Sequence, residues 1–447
     1  MGLTLLFFLL YIVAVVVIGV LSSRKSDEED FMIAGRKVKG IQIAASMSAS
    51  FFDGAVLSIY MAYMYQFGIS AIWMFVGLGA GFLLLRKYAF KIKQKADTLK
   101  VYSMPEYFYK ILGKKNGLMF SFLLTLQFFL LLIVNLIISG KVLSSIFSLP
   151  YFVSVIIGGV IILTYLMLAG FKAVIRTDFF QFLIMILLSV TVAAVLFGKT
   201  SIPSTDLHLL SAGAGNIIGF LILGGLGIMV APDLWQRIFA SKDEANLKKG
   251  LSLSVILLPL LALVIGIIGL ITKQVFPNIL PEDALITGFS HLLPMGLKQL
   301  GIVLLYAVAL SSSDTIVFVV SSILTRDFKN YSSKYSENSM KSLTRFFMVM
   351  FVLFAIIIAS FYQNILALGL SLASLNLALF PAVFGTFYWK LKEKAVFWSL
   401  ILAFLSVFIL FIANALNPQT AVISLPVALF SLFILQKVLK KNKLKEV

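Results

Sequence analysis

Ser46-Met-Ser-Ala-Ser50-Phe-Phe-Asp53-Gly54-Ala-Val-Leu-Ser58 lies inside a predominantly apolar run that covers residues 40–66. A carboxylate near the centre of a bilayer costs about 2.5–3.5 kcal/mol on insertion scales, so Asp53 must face a cavity or a partner rather than lipid. Asp53-Gly54 predicts a local break in the helix. Glycine tolerates the backbone geometry, and carbonyls freed at a break can bind a cation where they line a cavity. Close helix packing accounts equally well for Ser46, Ser48 and Ser50, but it leaves Asp53 unexplained.

A second apolar run, 214–236, is interrupted in the same way by Leu223-Gly224-Gly225-Leu226-Gly227 and then Ala231-Pro232-Asp233. It comes five spans after the first. Segments 40–197 and 214–387 therefore form two five-helix halves, each opening with a broken helix, and an odd offset gives them opposite orientations. That is the inverted-repeat arrangement, with a binding site at the breaks near the midplane. The expected organisation is an extra helix and loop over 1–39, repeat 1 over 40–197, repeat 2 with its preceding loop over 198–387, and two last helices with a basic tail over 388–447.

The composition agrees. Of 447 residues, 60% are hydrophobic and only 13% charged, with a mean hydropathy of +1.03, which leaves no room for a large soluble domain. Leu3–Val20 is long enough to span and lacks a basic leader and a small-residue cleavage site, so it reads as a first membrane helix. Further spans fall near 68–86, 116–140, 150–169, 173–197, 250–272, 297–324, 344–362, 364–387, 394–414 and 419–437, about 13 in all. The expectation is an all-α polytopic membrane protein.

Thirteen spans put the termini on opposite sides. With the C-terminal tail in the cytoplasm, every Lys and Arg of the 37 falls in a cytoplasmic loop or tail except Lys141, Lys199, Lys273 and Lys298. This positive-inside bias predicts an outside N-terminus and a plasma-membrane protein. The net charge of +18 then reflects topology and attraction to anionic lipid, not nucleic acid. With no cysteine, disulfides, thiol catalysis and Cys-ligated metals are excluded.

The helix 297–324 carries Val308, Ser311-Ser312-Ser313-Asp314-Thr315 at its centre. At about 100° per residue, Ser311, Ser312 and Thr315 share an arc of roughly 100°; Val308 lies on the same stripe and Asp314 just past its edge. Ser313 points elsewhere. Several hydroxyl and carbonyl oxygens beside a carboxylate make the shell that a small hard cation prefers. Asp178 sits about one turn inside the boundary of the sixth span, where it is either a site residue or a solvated partner of Arg176 or Lys172. Asn376 either reaches the site or bonds a neighbouring helix.

Five motifs in order now carry a resemblance. They are Phe31-Met-Ile-Ala-Gly-Arg36, Ser48-Ala-Ser-Phe-Phe-Asp53, Gly170–Gln181, Gln236-Arg237-Ile-Phe-Ala-Ser-Lys242, and Ser311–Thr315 followed by Ser321-Ser-Ile-Leu-Thr-Arg-Asp327. Together they resemble the sodium/solute symporter family over nearly the full chain. The resemblance implies secondary active transport driven by a sodium gradient on a leucine-transporter-type 5+5 core, with one helix before it and two after. It implies a main sodium site at the carbonyls of Phe51, Gly54 and Val308 and the hydroxyls of Ser311 and Ser312. Some members, such as the sialic acid symporters, hold a second sodium with an aspartate matching Asp178; its other ligands match Ser311, Ser312, Asp314 and Thr315.

Sugar-carrying members have Asn in place of Asp53 and Gln in place of Ser58. They also have Asn-Gln-Tyr where this chain has Ala231-Pro-Asp in the run before Gln236-Arg237. Proline-carrying members share the aspartate at Asp53. The expected solute is therefore an amino acid or related small nitrogenous nutrient, with a sugar, sialic acid or carboxylate as the alternative. Asp53, Ser58, Gly225 and Asn376 are the candidate solute contacts. No nucleophile or metal-ligand constellation accompanies the two histidines, His208 and His291, so an enzyme is not expected. No appended signalling domain marks a nutrient sensor, and no obligatory protein partner is evident.

Overall fold

The computed structural model describes residues 2–22, 28–167, 171–196, 202–331 and 337–439. Arg24-Lys25, Gly170 at the head of the third motif and the tail beyond 439 lie outside the described residues. The described chain is helical throughout, apart from one isolated bridge. Helix α1 is Gly2–Ser22 and α2 is Glu28–Ile33. The first broken span is α3, Gly40–Phe51, followed by α4, Gly54–Phe67. Next come α5 Trp73–Leu99, α6 Met104–Leu112, α7 Lys114–Phe147, α8 Tyr151–Leu166 and α9 Phe171–Leu196. The second broken span is α10, Gly213–Leu226, then a 3-10 turn and α11, Pro232–Ala240. After it run α12 Glu244–Val275, α13 Ala284–His291, α14 Leu297–Tyr331, α15 Glu337–Phe361, α16 Ile365–Gly385, α17 Glu393–Ile412 and α18 Ser424–Val438.

Eleven stretches among the described residues are long and apolar enough to cross a membrane. The expected thirteen differ for two reasons. Gly54–Leu99 runs as one stretch through a tight turn at Gly68, and α8 is a shorter apolar helix. Three short helices lie in the expected loops: α2, α6, capped by the Ser103 hydroxyl accepting from Glu106 N at 3.3 Å, and α13.

Both breaks occur where the sequence placed them, for identifiable reasons. Phe52 and Asp53 leave helical geometry, and the Asp53 carboxylate accepts from Val56 N at 2.6 Å, capping α4. At the second break Ala231 is extended (φ −72°, ψ 109°) and Pro232 starts α11 at its first position, where a missing N–H costs nothing.

Helix α14 lies at the centre. Its apolar window is 100% buried, against 22% for α1 and for α18 at the periphery. A helix that meets no lipid can carry five polar residues in a row, because each finds protein or cavity around it. Main-chain bonds join the segment just before α3 to the end of α11: Val38 N donates to Ala240 O and Lys242 N to Val38 O, both at 3.0 Å. Gln236 adds a bond to Met32 O at 2.7 Å.

Candidate functional site: a cavity at two helix breaks

A cavity of about 160 Å³ opens between the breaks. Its floor is made by Ser50, Phe51 and Asp53 from the first break, Ala231 and Asp233 from the second, and Ser312 and Thr315 from α14. Its walls are Tyr63, Phe75, Gln127, Phe128, Phe220 and Asn376. They extend towards the face opposite the basic loops, through α4, α5, α10 and α16. Beyond Asp233 the Trp235 ring packs against the Tyr107 and Phe108 rings at 5.2–5.5 Å, and Glu106 forms a buried ion pair with Arg326.

Of the residues expected at the main ion site, Phe51 and Ser312 line this cavity, and Gly54 and Ser311 are buried near them. A break after Phe51 leaves the last carbonyls of α3 without intrahelical donors. Gly54 abuts α14 so closely that a Cβ there would sit 3.0 Å from the Ala309 Cβ, one residue from Val308. Ser312 is buried, lines the cavity, and its hydroxyl has no hydrogen-bond partner. Ser311 Oγ donates to Asp178 Oδ1 at 3.3 Å, whereas Ser313 Oγ bonds back to Ala309 O of its own helix at 2.7 Å.

Beside it stands a network centred on Arg237, fully buried despite its charge. Its Nη2 donates to Asp178 Oδ2 at 2.9 Å, to Ser50 Oγ at 2.6 Å and to Thr315 Oγ1 at 3.4 Å. Nη1 reaches Asp233 Oδ2 at 3.1 Å, and Nε reaches Ser46 Oγ at 2.6 Å. Ser46 in turn donates to Asp178. A buried guanidinium is tolerated when its fork of donors is fully used, as here.

The profile of the family described as the sodium:solute symporter family matches residues 31–403. The chain belongs to that family. The symporter is 27% identical over 411 residues to the osmoregulated proline transporter of Bacillus subtilis (strain 168), covering 85% of this chain and 83% of the relative. It is 25% identical over 424 residues to the sodium/proline symporter of Staphylococcus aureus (strain Newman), covering 88% and 82%. Among solved structures, one described as the substrate-bound outward-open state of a Na+-coupled sialic acid symporter superposes with a TM-score of 0.81 at 17% identity, covering 99% of each chain. The nucleobase-cation-symport-1 family transporter Mhp1 superposes with a TM-score of 0.58 at 12% identity, covering 93% and 94%. These likenesses establish the leucine-transporter-type fold of a sodium-coupled carrier of a small solute.

Within the symporter several expectations change. Asp178 is neither solvated nor a partner of Arg176 or Lys172 in its assigned contacts; it is wholly buried against Arg237. Of the residues expected at a second ion, Thr315 lies 3.4 Å from Arg237 Nη2, and Asp314 lies 3.4 Å from Thr177 Oγ1. Gly225 does not line the cavity. It lies against α5, where a Cβ on Gly81 would fall 2.1 Å from the Gly225 carbonyl; its neighbours Gly224 and Gly227 face the cavity instead. Ser58 is buried but not among the lining residues, whereas Asn376 is one of them. Arg237, placed by sequence at the head of a cytoplasmic loop, is in the core because α11 continues to Ala240. Asp233 and Gln127 were not singled out, although a lone glutamine inside the apolar α7 was a signal.

Proposed function

We propose that this symporter takes up an amino acid or related small nitrogenous solute across the plasma membrane, driven by one sodium ion per cycle. The N-terminus is outside and the C-terminal tail cytoplasmic, as the distribution of Lys and Arg favours. The two halves, 40–197 and 198–387, act as inverted repeats about the cavity. Sodium is held by the carbonyls of Phe51, Gly54 and Val308 and the hydroxyls of Ser311 and Ser312. There it bridges the first break to α14, so an empty site leaves the break unsupported and a filled one stiffens the cavity floor for the solute.

The observation that carries this reading is the buried Ser312 hydroxyl, unpartnered and facing the cavity beside Phe51. An oxygen in that position is costly to leave without a ligand. A single ion follows from Arg237, whose guanidinium already supplies the positive charge at Asp178 that a second sodium would bring. At about 160 Å³ the cavity is far above the roughly 10–15 Å³ that a single water needs, and it has room for a small organic solute. Among the described residues no basic side chain lines it, which counts against a sialic acid or simple carboxylate.

The test is uptake into proteoliposomes. A labelled solute should accumulate with an inward sodium gradient and not with potassium. Binding without accumulation would identify a sensor rather than a carrier.

A further inference from the structure

The cavity floor holds more negative charge than the protein neutralises. Asp53 and Asp233 line it, and Asp178 lies just beneath, bonded to Ser311. Arg237 pairs with both Asp178 and Asp233, at 2.9 and 3.1 Å. Asp53 has no ion pair among the described residues; its carboxylate accepts from Val56 N in the α4 cap and lies against the Asn135 side chain. Arg237 serves Asp178 and Asp233 while Asp53 has no cation, so one guanidinium and one sodium leave at least one negative charge; the buried Asp314, which accepts from Thr177 Oγ1, adds another. The helix ends do not supply the difference. Each break sets a positive N-terminus beside a negative C-terminus, so the backbone partial charges cancel to first order.

A second observation points the same way. Gln127 is 2% exposed and lines the cavity, yet its Oε1 has no hydrogen-bond partner. The Asn376 Oδ1 on the far wall is unpartnered as well. The cavity thus offers amide oxygens that lack donors, beside the carboxylates of Asp53 and Asp233 and between the Phe51, Phe128 and Phe220 rings, whose faces attract cations.

We propose that the solute is an N–H-bearing ammonium of net positive charge, held by Asp233 and Gln127 with Asp53 completing the charge balance. This rests on the carrier reading above and adds two binding residues to it. A zwitterion would bring a carboxylate that meets no cationic side chain in the cavity, and a quaternary ammonium would leave Gln127 without its donor.

Matched probes test it on the purified full-length protein by thermal shift in sodium. The sets are prolinamide, proline and cyclopentanecarboxylate, and leucinamide, leucine and 4-methylpentanoate. At least one amide should stabilise the protein at about tenfold lower concentration than its parent amino acid, and neither carboxylate should act. An amino acid binding as tightly as its amide, a response to either carboxylate, or no response to both amides would overturn the proposal. Asp233→Asn should weaken amide binding by more than about tenfold. Because that change also unpairs Arg237, Gln127→Met is the milder control. It should cost about tenfold in amide affinity, the value of one hydrogen bond to a charged group, and wild-type affinity in Gln127→Met refutes the assignment. The shift produced by sodium alone, without solute, should persist in Gln127→Met. Its absence in the wild type would remove the carrier reading while the ranking of the probes still judges this one.

Discussion

Asp178→Asn separates a resident cation from a transported one. At 2.9 Å between Arg237 Nη2 and Asp178 Oδ2, the attraction is about 6 kcal/mol at an effective dielectric of about 20. The amide keeps the shape and can still accept from Ser46, and Arg237 retains Asp233 at 3.1 Å. The expected loss therefore falls to the lower end of what breaking a buried pair costs, about 3 kcal/mol. Denaturant unfolding of the purified protein, without sodium, reads that loss. A sodium titration of solute uptake then reads stoichiometry. If Arg237 supplies the positive charge, the Hill coefficient stays near one in both proteins while stability falls. A wild-type coefficient approaching two that drops to about one in Asp178→Asn, with stability unchanged, would refute the reasoning, since the coefficient is bounded by the number of coupled sites.

Three further outcomes follow from particular contacts. Ser312→Ala should weaken sodium binding about tenfold, the loss of one oxygen ligand worth about 1.4 kcal/mol. Ser313→Ala should not, because its hydroxyl is already bonded to Ala309; equal losses in isothermal titration would refute the assignment of faces. Asp53→Asn keeps the α4 cap, since Asn caps as well as Asp, so it removes charge alone. The apparent KM for a cationic solute should rise by about tenfold or more, with sodium binding in the absence of solute nearly intact; collapse of that sodium binding would assign Asp53 to the ion instead. Glu106→Ala should destabilise by about 3 kcal/mol by removing the carboxylate that pairs with the buried Arg326 guanidinium, which lies 4.6 Å over the Tyr102 ring. A change within about 0.5 kcal/mol would show that the pair contributes nothing.

The spans and both breaks were legible because they depend on local chemistry. An Asp-Gly in mid-bilayer and a Gly-rich run ending in Pro232 admit few conformations. The helical face of Ser311, Ser312 and Thr315 was legible for the same reason. The partner of Asp178 was not. Sequence proximity offered Arg176 and Lys172, whereas the residue that binds it lies 59 positions away and reads, by type and neighbourhood, as a loop charge. Helical periodicity says which way a side chain points, not which helix it meets. Gly225 failed differently: the same small residues that permit a break also permit close packing, and only the neighbouring α5 decides between them.

The main-chain bonds between Val38 and the Ala240–Lys242 strand segment have a mechanical consequence. They yoke the start of α3 to the end of α11, and no side-chain change short of proline removes them. The two half-helices are held to each other there, and their seam with the rest of the core runs where α11 meets α14 and its Arg237 meets Asp178 of α9. Arg237 straddles that seam. Asp178 and Thr315 lie across it, but Asp233, Ser46 and Ser50 ride on the same side as the guanidinium. Were that seam to part, Arg237 would give up Asp178 and Thr315 but keep Asp233, Ser46 and Ser50, so the guanidinium would go from two carboxylates to one.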